Sequence, residues 1–159
     1  MKISKAISEV RSGTDMIAVL ALGQRTQDHI ALCGVFSHTN WKLYEADTRR
    51  KGLELVRQKG IRVVICETEL PDGNWQVVLD ELRDLSVHPQ LVVSSHRVDP
   101  QLWGEVLNLG AYDLLPTPFE PAEVRRVVVQ AWLASKNKVQ TETGFHMLSG
   151  QVRVAAAQA

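Results

Sequence analysis

The residues best placed to do chemistry stand at the ends of short apolar runs. Glu67 follows Ile61 to Cys66 (IRVVIC) and precedes Glu69 and the turn Leu70-Pro71-Asp72-Gly73. A carboxylate in such a place can attack phosphorus to give an acyl phosphate, or hold a hard cation on its oxygens. Ser94, Ser95 and His96 close a second run, Leu91 to Val93, and suggest a serine nucleophile beside a base. Adjacent residues at a strand end point to opposite sides, which argues against that pairing. Gly23, Gln24 and Arg25 follow a third run, Ile17 to Leu22 (IAVLAL), and Thr117 follows a fourth, Tyr112 to Leu115. There is no P-loop, nucleophile elbow or GxGxxG. His29, His38, His88, His96 and His146 are scattered without HxH or HxxxH spacing, so no metal site is expected. Cys33 and Cys66 lie in apolar runs without a CxxC pair, and read as buried, reduced thiols. Asp72 precedes Gly73, where a capping role accounts for it.

These chain positions need a scaffold that brings strand ends together, and the intervening segments supply one. After Ile17 to Leu22 comes a helix with Ile30, Leu32, Cys33, Val35 and Phe36 toward one face, ended by the turn at residues 37–40. Lys42 to Glu45 is a short strand. The helix behind it buries Leu53, Leu55 and Val56 and stops at Gly60, where a positive φ is cheap. A third helix runs from about Asn74 to Asp84 with Trp75, Val78, Leu79 and Leu82 on one face. Asp99 and Pro100 open a fourth, closed by Gly110, and Glu120-Pro121 opens the last, expected to reach about Ser135. Five strands alternating with five helices describe a βαβ series. Strands that read as unbroken apolar runs are covered on both faces. The expected fold is α/β: a flavodoxin-like, doubly wound, five-stranded parallel sheet of order 2-1-3-4-5 with helices on both faces. Its working edge is the carboxyl ends of the first and third strands.

The whole-chain numbers narrow the function classes. Lys plus Arg (18) equals Asp plus Glu (18), so no global basic field is present to hold nucleic acid or an acidic membrane. The N-terminus lacks an apolar core of the secretory kind, and no apolar run approaches the ~20 residues that span a bilayer. A soluble, cytoplasmic protein is expected, without membrane or nucleic-acid partners. Residues 1–15 form an N-terminal extension in which Ile3, Ala6, Ile7 and Val10 have the spacing of an amphipathic helix. Residues 16–135 form the domain. Residues 136–159 are polar, then alanine-rich, and are expected to be a flexible extension.

The strand-end motifs carry a resemblance. VVICETELPDGNW is similar to the third strand and following loop of response-regulator receiver domains: an apolar strand, an acceptor Asp, two residues, Leu-Pro, then Asp-Gly. LVVSSHRVDPQLWGEVL resembles the family's fourth strand with its Ser or Thr, and NLGAYDLLPTPFEPAEV its Gly-Ala, fifth strand, Lys-Pro-Phe and final helix. The resemblance spans about Ile17 to Ser135. It implies a module of a bacterial two-component pathway, not an enzyme. In the family an Asp accepts phosphate from a histidine kinase, two acids after the first strand help hold Mg²⁺, and a hydroxyl and a Lys contact the phosphate.

Carried across residue by residue, the resemblance puts Glu67 at the acceptor position, Gly23 and Gln24 at the acidic pair, and Ser94 or Ser95 at the hydroxyl. Thr117 takes the lysine position and Leu114 that of the aromatic switch. With the acids gone, Mg²⁺ binding is expected to be weak or absent, and no cofactor is expected. Without Mg²⁺ or the lysine, phosphoryl transfer has little to stabilise its charge. Glu67 then has two readings: a built-in phosphate mimic near the serine hydroxyl, or a remnant in a domain that works through its surface. A mimic would bring about one charge where a phosphoryl group brings about two.

Partners are expected to be proteins, a kinase or an effector, and a second copy of the chain. The implied contact face is made by the fourth helix, fifth strand and fifth helix, with Trp103 as its candidate anchor. Trp41, Trp75 and Trp132 are expected to cover core edges. A pseudo-receiver sensing a small molecule or redox state in the same crevice is the alternative. A small flavodoxin-like enzyme is a more distant one, since neither a phosphate loop nor a nucleophile is evident.

Overall fold

The structure, a computed structural model, describes residues 16–158, with side chains described for 16–139. The amphipathic spacing read in residues 1–15 lies outside the described residues. Strands β1 (Ala18–Leu22), β2 (Lys42–Ala46), β3 (Val63–Glu67), β4 (Gln90–Ser95) and β5 (Asp113–Pro116) alternate with five helices. These are α1 (Thr26–Phe36), α2 (Arg49–Lys59), α3 (Trp75–Arg83), α4 (Pro100–Leu109) and α5 (Pro121–Gln158). The sheet has order β2-β1-β3-β4-β5 and every neighbouring pair is parallel, as the sequence predicts. The loop after β3 adds a small antiparallel ladder, Glu69–Leu70 against Gly73–Asn74, where a simple turn was expected.

Alternate residues of each strand feed two cores. Val19, Ala21, Ile65, Val92 and Leu115 pack with residues of α1 and α5; Leu20, Val64, Cys66, Val93 and Leu114 pack with those of α2, α3 and α4. This parity assigns a side to each strand-end residue. Glu67, Ser94 and Thr117 each stand two positions beyond a member of the first core (Ile65, Val92 and Leu115) and face the α1 side. Leu114 belongs to the second core and is 2% exposed, a packed aliphatic side chain.

The expectation for α1 needs correction. Leu32, Val35 and Phe36 are buried, but Ile30 is 65% exposed and Cys33 is exposed. At about 100° per residue, Ile30 lies about 200° from Leu32, and Cys33 about 200° from Val35. Cys33 instead donates a hydrogen bond to Glu45 Oε1 at 3.2 Å, which with partial burial raises its thiol pKa. Cys66 is buried as expected, and burial pushes its thiol far up. The last helix also differs: it continues past Ser135 to Gln158, so the backbone of 136–158 extends α5.

Helix ends follow the local signals. Thr48, Asn74 and Asp99 accept from Lys51 N, Val77 N and Leu102 N, and Gly60 (φ 61°) and Gly110 (φ 95°) close α2 and α4. Asp72 caps a neighbouring helix instead of its own turn: its carboxylate accepts from Arg49 N at 2.7 Å and Arg50 N at 3.0 Å, at the start of α2. Desolvation works to raise this carboxyl, but those backbone N–H groups outweigh it and hold the pKa below the usual range. A lowered folded pKa gives stability that is present above the unfolded value of about 3.9 and lost as pH falls through the folded one. Asp72→Asn is therefore expected to flatten the acid limb of the melting-temperature profile below about pH 4. An unchanged acid limb would show the cap to be inconsequential.

Trp75 and Trp132 are buried and Trp41 is half-buried, but Trp103 on α4 is 41% exposed. Leu107 and Leu109 on the same helix, and Val98 just before it, are also exposed. Among the described residues no helix is long and apolar enough to cross a membrane.

Candidate functional site

The carboxyl ends of β1, β3, β4 and β5 enclose a crevice of about 240 Å³. Glu67 ends β3 and pairs in register with Ser94 of β4. Gly23 follows Leu22, whose register partner is Cys66, so Gly23 and Glu67 are neighbours across the β1–β3 edge. Glu67 takes the space that a side chain at 23 would fill. A Cβ built on Gly23 would lie 1.5 Å from Glu67 Oε2 and 2.6 Å from its Cγ. Glycine is required here by close approach, not by its backbone angles.

Arg25 holds the carboxylate in that position. Its backbone N–H donates to Glu67 Oε2 at 3.2 Å, and its Nε lies 3.7 Å from Oε1. Arg25 is also the N-cap residue of α1 and makes no side-chain cap. Arginine is a poor choice there, since Ser, Thr, Asp and Asn caps satisfy the free N–H groups. Arg25 Nη2 also reaches His96 Nε2 at 3.5 Å. One guanidinium thus joins the β1–α1 turn to the end of β3 and to the loop after β4.

Ser94 is 4% exposed and lines the crevice on Glu67's side. Ser95 also lines the crevice, but its hydroxyl is bonded within its own loop: it donates to Arg97 O at 2.9 Å and accepts from Arg97 N at 3.1 Å. Thr117 lines the crevice from β5 and is half-buried. Glu67 lines the crevice beside its register neighbour Ser94, and the hydrogen bond that its carboxylate accepts comes from Arg25 N and not from the Ser94 or Thr117 hydroxyl. Gln24 is exposed and does not line the crevice, which corrects its expected place on the rim. It lies two residues past the end of β1, where the chain turns toward α1.

Four lining residues, Asp28, Thr68, Glu69 and His96, were not assigned to the site from sequence. Asp28 stands in the first turn of α1. The one usable signal was Arg25 at a helix start, where a capping residue belongs. His96 meets Arg25 across 71 residues of chain, a pairing no local spacing announces.

Asp28, Glu67 and Glu69 bring carboxylates to the crevice, but none comes from the two positions that follow β1. The Gly23 position offers no carboxylate, Gln24 is turned away, and Glu67 is folded against the Arg25 guanidinium. Among the described residues no three His, Cys, Asp or Glu side chains are grouped to hold a metal ion.

Comparison with solved structures places this arrangement. At TM-score 0.72 and 18% identity, the chain is similar to the signal receiver domain of an HD domain-containing protein from Pseudomonas fluorescens Pf-5, covering 80% of this chain and 95% of that one. The chemotaxis protein CheY4 of Vibrio cholerae matches at TM-score 0.66 and 17% identity, over 74% and 99%. A response regulator receiver domain protein from Clostridium thermocellum matches at 0.67 and 15%, over 76% and 98%. The fold is that of response-regulator receiver domains. The receiver likeness lies in the backbone, because no family model matches the chain and no curated protein matches its sequence. In the receiver frame, Glu67 ends the third strand and the crevice lies at the carboxyl edge, where a doubly wound sheet places its ligands.

Proposed function

We propose that this chain is a receiver-type signalling module of a bacterial, cytoplasmic two-component pathway that acts by protein contact without magnesium-dependent phosphotransfer. The observation that carries the reading is the Glu67 carboxylate, lodged over Gly23 and clasped by Arg25. In the receiver pattern this space belongs to acids and a metal; here one acid and one internal cation fill it. Attack on a phosphoryl donor needs a free carboxylate oxygen and a way to neutralise developing charge. Glu67 has neither, and Thr117 supplies no ammonium. Catalysis is therefore no part of the reading.

The output side rests on α4. Trp103, Leu107 and Leu109 are 41–49% exposed on one short helix, and aromatic anchors of this kind dominate protein contacts. We take this helix with β5 and α5 as the face toward an effector, a kinase or a second copy of the chain. The deciding experiment is incubation with acetyl phosphate and Mg²⁺, followed by intact-mass measurement. No added mass is expected. A stable gain of about 80 Da, one phosphoryl group, would overturn the reading.

A further inference from the structure

The crevice contains more hydrogen-bond acceptors than the chain uses. Asp28, Glu67 and Glu69 bring three carboxylates to it, and Arg25 is the only Lys or Arg lining it. Arg25 is committed to Glu67 and His96. A guanidinium has donors only, so His96 Nε2 is the acceptor in that contact. Two negative charges are left over. Among the described residues neither the Asp28 nor the Glu69 carboxylate has a cation or a donor as partner.

The second observation is Ser94. It is 4% exposed, and its hydroxyl opens on the crevice without a hydrogen-bond partner among the described residues. Among the described residues no buried side-chain oxygen or nitrogen lacks a partner, so what little of Ser94 is accessible includes its hydroxyl oxygen, aimed into the crevice. With it stands Thr117, also unpartnered, on the same side of the sheet.

We propose that the crevice binds a small organic dication carrying primary ammonium groups, with Asp28 and Glu69 supplying the charge and Ser94 and Thr117 further acceptors. An ammonium presents three donors on a compact charge and tolerates acceptors spread around it, whereas Mg²⁺ demands near-octahedral oxygens and gives up water reluctantly. A linear diamine matches the leftover charge of two, and a crevice of about 240 Å³ admits one. Arg25 stays on Glu67, so binding requires no rupture of the clasp. The site is independent of how the module signals.

The test is titration calorimetry of the full chain with 1,4-diaminobutane at constant ionic strength, with tetramethylammonium as the control cation lacking N–H donors. Saturable binding of the diamine and none of the control is expected. Asp28→Asn and Glu69→Gln are each expected to weaken binding about tenfold, the loss of one hydrogen bond to a charged group. Thr117→Lys is expected to abolish it, by placing the chain's own ammonium in the crevice. Equal response to both cations, or affinity unchanged in the Asp28→Asn and Glu69→Gln variants, overturns the proposal. Phosphorylation by acetyl phosphate would sink the signalling reading and leave this binding untouched; absent binding would leave that reading standing.

Discussion

Gly23→Ala is expected to lower stability by about 1–2 kcal/mol, and Glu67→Ala in the same chain to remove most of that loss. A methyl group at 23 cannot coexist with the present Glu67 rotamer, since its carbon would fall within 1.5 Å of Oε2. Because the obstacle is a side chain and not backbone, the collision resolves by rotation of Glu67 out of the pocket. What is lost is the hydrogen bond from Arg25 N, the ion pair at 3.7 Å and the packing of a side chain that is 16% exposed. In a double-mutant cycle the two sites are expected to couple by about 1 kcal/mol, measured by urea unfolding. Additive effects would mean that the carboxylate does not occupy the space over Gly23. The same cycle tests the crevice chemistry, because a displaced Glu67 faces Ser94 and Thr117 and is free of Arg25.

Leu114→Ala is expected to cost more, about 2–5 kcal/mol, and to lower the melting temperature by roughly 10 °C. The Leu114 side chain is 2% exposed within the core formed with Val93, Val106 and Ala111. A buried aliphatic residue fixed on all sides has no second place to go, so truncation leaves a cavity. Thermal unfolding of the variant checks the difference. A change below about 0.5 kcal/mol, as at exposed sites, would show that position 114 is free to move.

The fold was legible because its signals were redundant. Apolar runs at Ile61 to Cys66 and Leu91 to Val93, a helix stop at Gly60, and caps at Asn74 and Asp99 each specify one element, and together they leave few topologies. Boundaries slipped where a signal was one-sided. Ile30 and Cys33 are apolar but lie off the buried stripe of α1, and nothing after Ser135 marked an end to α5. At the site, strand-end positions were readable for Gly23, Glu67, Ser94 and Thr117, because strand ends are fixed by the apolar runs before them. Side-chain directions were not. The fold-back of Glu67 depends on the absence of a side chain 44 residues earlier, and the reach of Arg25 to His96 depends on how two loops close in space. The different surroundings of Ser94 and Ser95 follow from the sheet's parity and the local bonds of Ser95 to Arg97, which the sequence does not display.

The length of α5 has a mechanical consequence. Its 38 residues make a rod of about 57 Å, whereas strands of four to six residues span about 13–20 Å. Val124, Val127, Val128, Ala131 and Trp132 seat its first half on the sheet through the same core that holds Val92 and Leu115. The stretch beyond Ser135 is roughly 34 Å of helical backbone. A tilt of ten degrees at the seated half would swing the far end by about 6 Å. Motions too small to alter the sheet would thus be magnified into sideways displacements of about one helical turn at the far end of α5.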